Sequence, residues 1–146
     1  MKLQVTQLVA LGIALAGFAE SAAAWTQGSG VTDSRYTLEW KADPAEERRE
    51  RTLYVRVRPS SGWHIAEAAP ATLRFDPMPG LSIDPAKQGR VDATQHSGEG
   101  FEFEAALRKV PNTGAAASGH LKFGICQGQN ERCFIVRRHF EVAYDE

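Results

Sequence analysis

The chain has 146 residues, 42% of them hydrophobic, with 17 Lys and Arg against 18 Asp and Glu and a formal net charge of −1. That length suits one domain with a real hydrophobic core. The near-balanced charge gives no case for a nucleic-acid partner or for an anionic membrane surface.

The amino terminus reads as a processing signal. Lys2 gives a positive start, residues 8–18 are apolar, and Ser21-Ala22-Ala23-Ala24 offers a small-residue cleavage site, so a cut is predicted after Ala24. The apolar run falls short of the roughly 20 residues a spanning helix needs. No cysteine sits at the cleavage site to carry a lipid. The expected product is residues 25–146, soluble and periplasmic, with no membrane contact after cleavage. Residues 25–34 are rich in Gly, Ser and Thr and read as a flexible leader. Residues 35–146 read as one domain.

Tyr36, Leu38 and Trp40 alternate with Arg35, Thr37 and Glu39, the period of two that marks a half-buried strand. Residues 41–51 are charged and carry no apolar stripe. They read as a solvated loop, with a single helical turn begun by Asp43 and Pro44 as the alternative. Leu53, Val55 and Val57 alternate with Tyr54, Arg56 and Arg58 in a second strand. After the Pro59-Ser60-Ser61-Gly62 turn come short strands at 63–65, 71–75 and 81–83. Residues 84–100 read as one long polar loop, of a kind that is often functional. Phe101, Phe103, Ala105 and Leu107 restore the alternation, as do Leu121, Phe123 and Ile125. Residues 134–142 have strand composition, but Arg138 shares the phase of Phe134, Val136, Phe140 and Val142, so a bulge is expected to re-phase the strand. Seven to eight strands separated by Gly and Pro turns predict an all-β fold, an antiparallel β-sandwich, with an eight-stranded barrel as runner-up.

Cys126 and Cys133 are the only cysteines, and they flank a polar turn between two apolar strands. Export to an oxidising compartment favours a disulfide, and two cysteines allow one intramolecular pairing. The bond is either a structural clasp or a working redox group. Arg132 and Arg137 favour a thiolate, and Glu131 opposes one. His120 and His139 each lie six residues from a cysteine, but strand parity does not converge them into a metal site. A free nucleophilic thiol with a histidine base is not expected beside a second cysteine. Trp25, Trp40 and Trp63 are the candidates for a sugar platform, but Trp40 is in phase with the core and Trp63 follows a turn, so core packing or edge covering is the reading preferred. No cofactor is called for.

The order of features resembles a known family. Gly62-Trp63-His64-Ile65 precedes a strand beginning near Pro70, Gly80-Leu81 follows, a long loop ends at Gly100-Phe101-Glu102-Phe103, and Leu121-x-Phe123-x-x-Cys126 closes the series with Cys133 soon after. Over roughly residues 35–142 the chain resembles the amino-terminal periplasmic domain of the thiol:disulfide interchange protein DsbD. The resemblance implies an immunoglobulin-like sandwich. It implies that Cys126 and Cys133 are a redox pair exchanging with a thioredoxin-fold thiol/disulfide protein of the periplasm. Cys133 would bond to the partner and Cys126 would resolve. The loop from about Asp92 to Gly100 would be a cap over the disulfide, with Gln95, His96 and Phe101 as its candidate residues. Six residues separate the cysteines here, where five are usual in the family. A reading from another class is a non-catalytic secreted sandwich that binds a protein partner and keeps a structural hairpin disulfide.

Overall fold

The computed structural model describes residues 29–43, 50–109, 116–129 and 132–143. The signal segment, Trp25, most of the charged 41–51 stretch and Glu131 lie outside the described residues. Eleven strands account for most of the remainder, with no α-helix among the described residues. They are β1 (Ser29–Thr32), β2 (Tyr36–Ala42), β3 (Glu50–Pro59), β4 (Trp63–Ile65), β5 (Thr72–Phe75), β6 (Leu81–Asp84), β7 (Lys87–Gly89), β8 (Thr94–Ser97), β9 (Gly100–Lys109), β10 (Ala116–Gln127) and β11 (Arg132–Ala143).

Every pairing is antiparallel, and two sheets result. Sheet A runs β1-β2-β3-β9-β6, with β8 also on β9. Sheet B runs β11-β10-β5-β7, with β4 also on β10. The alternation seen in the sequence decides which face of each strand meets the other sheet. Leu53, Val55 and Val57 of β3 and Phe101, Phe103 and Leu107 of β9 are buried from sheet A. Leu73, Leu121, Phe123 and Ile125 answer them from sheet B. Rings lock the layers: Tyr36 meets Phe123 edge-on at 5.1 Å, and Trp40 packs on Phe140 at 4.7 Å. Each such side chain contributes about 1.5–3 kcal/mol by leaving water. The all-β sandwich is therefore the observed architecture.

Three strands were not foreseen, and each has a physical reason. Ser29–Thr32, read as flexible leader, is an edge strand in register with Thr37 to Trp40. Its own side chains are mostly exposed, so backbone pairing holds it and no apolar period announces it. The 84–100 loop contains β7, a 3₁₀ turn (Arg90–Asp92) and β8. Gln88 of β7 is buried, and its amide donates to the Glu104 carbonyl of β9, tying sheet B to sheet A at 2.9 Å. A polar residue doing a core residue's work is invisible to a hydrophobicity pattern.

The expected bulge near Arg138 is absent. β10 and β11 pair residue for residue through twelve positions. Arg138 keeps the core-facing phase because Asp33 and Tyr36 absorb it. It pairs with the Asp33 carboxylate at 2.9 Å and donates to the Tyr36 hydroxyl. Arg35 grips the same carboxylate at 2.9 Å. The Arg35 side-chain hydrogen bond leads the causes that hold Asp33 far below the ordinary carboxylate range, with Arg138 adding to it.

Candidate functional site

The β10–β11 hairpin places Cys126 and Cys133 directly opposite each other, Cα atoms 4.0 Å apart, and the two sulfurs are bonded. Opposed residues of an antiparallel pair project to the same face. Ile125 points into the core, so the cysteines stand on the outer face of sheet B. The two are unequally placed. Cys126 lies on a central strand flanked by β4 and β11 and is 3% exposed. Cys133 lies on the edge strand β11 and is exposed.

The surroundings follow from register. His64 of β4 is the cross-strand partner of Cys126 on its other side, half-buried and on the same face. Two residues along β10, Gly124 lies under the turn that follows β4. A Cβ there would stand 2.4 Å from that of Ala69 and 3.0 Å from that of Ala66. Glycine is what lets the turn close onto the sheet beside Cys126. Beyond Cys133, Phe134 and Ile135 are 43% and 46% exposed. Trp63 packs on the Phe134 ring at 6.0 Å, and the Arg35 guanidinium lies 5.9 Å from its centre. Phe134, opposite Ile125, is in the core-facing phase, so on the outer face the exposed Cys133 is bordered along the open strand edge by Ile135.

The proposed cap residues occupy the β8–β9 hairpin. Its tip is fastened to β4: Ile65 donates to the Gly98 carbonyl at 2.9 Å, and Gly98 donates to the Glu67 carboxylate at 2.8 Å. That puts the tip one strand away from Cys126, against His64. Gln95 is exposed and holds a left-handed φ of 54°. His96 stacks on Phe101 at 5.6 Å, and its buried Nε2 has no hydrogen-bond partner among the described residues. Phe101 is a core residue, 2% exposed, packed against Phe103 and Phe123.

Arg132 sits beside Cys133 and is exposed, as the sequence suggested. Arg137 does not join it. It stands opposite Lys122, four residues along β11, about 13 Å away at strand rise. Its charge is largely screened over that distance at physiological salt. His64 is the residue that sequence reasoning missed. Its link to Cys126 is a pairing across sixty residues, and only register reveals it.

No protein-family model matches the chain, and no curated protein matches it. Among solved structures it is similar to the GAE domain of yeast GGA1, at 12% identity and a TM-score of 0.43, covering 78% of this chain and 98% of that one. It is also similar to the N-terminal periplasmic domain of ScsB from Proteus mirabilis, at 11% identity and a TM-score of 0.43. The match covers 78% of this chain and 49% of that one, so the chain spans about half the length of the ScsB domain. Among the described residues no helix is long and apolar enough to cross a membrane.

Proposed function

We propose that this domain is a periplasmic thiol:disulfide exchange module whose Cys126–Cys133 bond passes between oxidised and reduced forms with a thioredoxin-fold partner. The observation that carries the reading is the inequality of the two cysteines: Cys133 exposed on a strand edge, Cys126 3% exposed behind it. Exchange needs one sulfur open to attack and one held ready to leave or resolve.

The chemistry balances with a partner dithiol. A partner thiolate attacks the Cys133 sulfur, forming a mixed disulfide and breaking the Cys126–Cys133 bond. The electron pair leaves on Cys126 as a thiolate, which takes up a proton. His64, in register beside it, is the nearby group able to hand that proton over. The partner's second thiolate then attacks the partner's first sulfur and releases the Cys133 thiolate. The domain gains two electrons and the partner becomes a disulfide; the reverse sequence oxidises the domain. Ile135, two residues along β11 on the same outer face, offers the partner an apolar seat beside Cys133. The β8–β9 hairpin, latched by Glu67 to Gly98, borders His64 one strand from Cys126 and does not cover the exposed Cys133, so exchange at Cys133 needs no movement of that hairpin.

The competing reading is a clasp. Closing a loop of about eight residues gives roughly 2.5 kcal/mol in the chain-entropy model, and the continuous twelve-pair ladder around the bond is what a clasp would reinforce. Trapping separates the two. In the exchange reading, the lone Cys133 thiolate of Cys126→Ser attacks the disulfide form of a thioredoxin-fold protein and accumulates a mixed disulfide, the electron pair leaving on the partner's second sulfur, and Cys133→Ser accumulates far less. Equal trapping by both variants, or none by either, would leave the clasp.

A further inference from the structure

Outside the cysteines, the wet face of sheet B carries a second feature. Four strands lay a continuous row of basic side chains across it. Lys122 on β10 is in register with Arg137 on β11, and Arg74 on β5 is in register with Lys87 on β7. His120 lies between Arg74 and His139 in the same ladder, its ring 4.8 Å from that of His139. These six side chains line one shallow cavity of about 540 Å³.

The arrangement costs stability. Like charges directly opposite each other destabilise an antiparallel pair, and here two such pairs lie on neighbouring strand pairs, two residues out of step. Among the described residues nothing neutralises most of them. Among the described residues Lys87, Lys122 and Arg137 make no ion pair. Asp76 is already engaged by His120 at 2.5 Å and Arg74 at 3.5 Å, and Glu141, in phase with Arg137 and His139 on β11, makes no ion pair with them among the described residues. The whole chain carries a net charge of −1, so the patch is a local concentration and no general basic character explains it.

We propose that this face is a binding site for a multiply charged anion bearing phosphate- or sulfate-type groups. Neighbouring strands are about 4.8 Å apart, which sets the Arg74–Lys87 and Lys122–Arg137 pairs roughly 10–12 Å from one another. The site therefore fits a ligand with two or more anionic groups spread over about that span. Arg74 and Arg137 supply the planar forks that grip such oxygens in pairs, and the lysines supply point charges. Thr72 also lines the cavity. Among the described residues no group of three or more potential metal ligands forms, so the histidines are read here as hydrogen-bonding partners of the anion. This site is independent of the disulfide and stands or falls without it.

Titration calorimetry of the purified chain with inositol hexakisphosphate as probe, and with inorganic phosphate as a single-anion comparator, tests the idea. We expect the hexakisphosphate to bind, weakening as salt rises, and inorganic phosphate to bind far more weakly. Arg74→Gln with Lys87→Gln, and Lys122→Gln with Arg137→Gln, should each lower affinity roughly tenfold or more. Arg58→Gln, on the other sheet, should leave it unchanged. Lys122→Glu keeps the test clear of folding failure. It replaces a like-charge pair by an opposite one, so it should melt no lower than the parent and still lose binding. Co-sedimentation with phosphatidylcholine vesicles doped with phosphatidylglycerol distinguishes sources: binding lost in the same variants assigns the anion to a lipid headgroup, whereas hexakisphosphate binding alone assigns it to a soluble ligand. No hexakisphosphate binding by the parent, or equal affinity in the double variants and Arg58→Gln, would overturn the proposal.

Discussion

The outer faces of the two sheets follow opposite charge rules. On sheet A the registered pairs are opposite in sign: Arg56 faces Glu102 and bonds it at 2.6 Å, Glu39 faces Arg56 from β2, and Glu50 faces Arg108 and pairs with it. On sheet B, Lys122 faces Arg137, Arg74 faces Lys87, and Cys126 faces Cys133. Stability alone accounts for the first face, because opposed opposite charges gain a few tenths of a kcal/mol to about 1 kcal/mol each. It does not account for the second. Sheet B gives up cross-strand charge complementarity and leaves Cys133 exposed, and both proposals above rest on that difference.

The contrast can be broken in graded ways. The largest expected effect is chemical: Cys133→Ser should abolish exchange with a thioredoxin-fold protein, read by the loss of dithiol-dependent reduction. Replacing both cysteines by Ala should also cost about 2–3 kcal/mol, measured by urea unfolding. Next comes the bridge between the sheets. Asp33→Asn removes the carboxylate shared by Arg35 and Arg138 and should cost about 1–3 kcal/mol. Its pH signature has a definite sign. The folded Asp33 pKa lies below its unfolded value of about 3.9. Its contribution is therefore full above that value and is lost as pH falls through the folded one. Asp33→Asn should flatten stability against pH in that acid range and leave the neutral range parallel to the parent.

Gly124→Ala sharpens the comparison at the cysteines. The added methyl forces the Ala66 and Ala69 turn off the sheet, at about 1–3 kcal/mol, with faster reduction of the disulfide by dithiothreitol as the turn lifts beside Cys126. The smallest effects carry opposite signs on the two faces. Arg56→Gln should destabilise by up to about 1 kcal/mol, since its pair with Glu102 is mostly shielded from water. Lys122→Glu should stabilise by about 0.2–1 kcal/mol. Thermal melts of the two variants side by side check that inversion.

Much of this fold was legible because burial writes itself into alternation. Leu53, Val55 and Val57, or Phe101, Phe103 and Leu107, announce both a strand and its inner face. What alternation does not record is pairing held by backbone alone, as at Ser29–Thr32, or by one buried amide, as at Gln88. Arg138 misled in the other direction. A charge in the core phase suggested a bulge, whereas its partners, Asp33 and Tyr36, lie about a hundred residues away. The site followed the same division. Cys126 and Cys133 were evident from count and spacing. Their unequal exposure, the approach of His64 and the like-charged pairs all depend on register, which a single chain does not display. Arg56 and Arg58 in one strand, and His120 and Lys122 in another, look the same until their opposite numbers are known.

The most direct measurement is the equilibrium reduction potential of the Cys126–Cys133 bond, obtained by titrating the purified domain against a graded thiol/disulfide buffer and counting free thiols. We expect a value above about −300 mV, within reach of a periplasmic dithiol protein. A value far below that would place the bond among those that resist reduction, and the domain would keep its sandwich but lose its proposed chemistry.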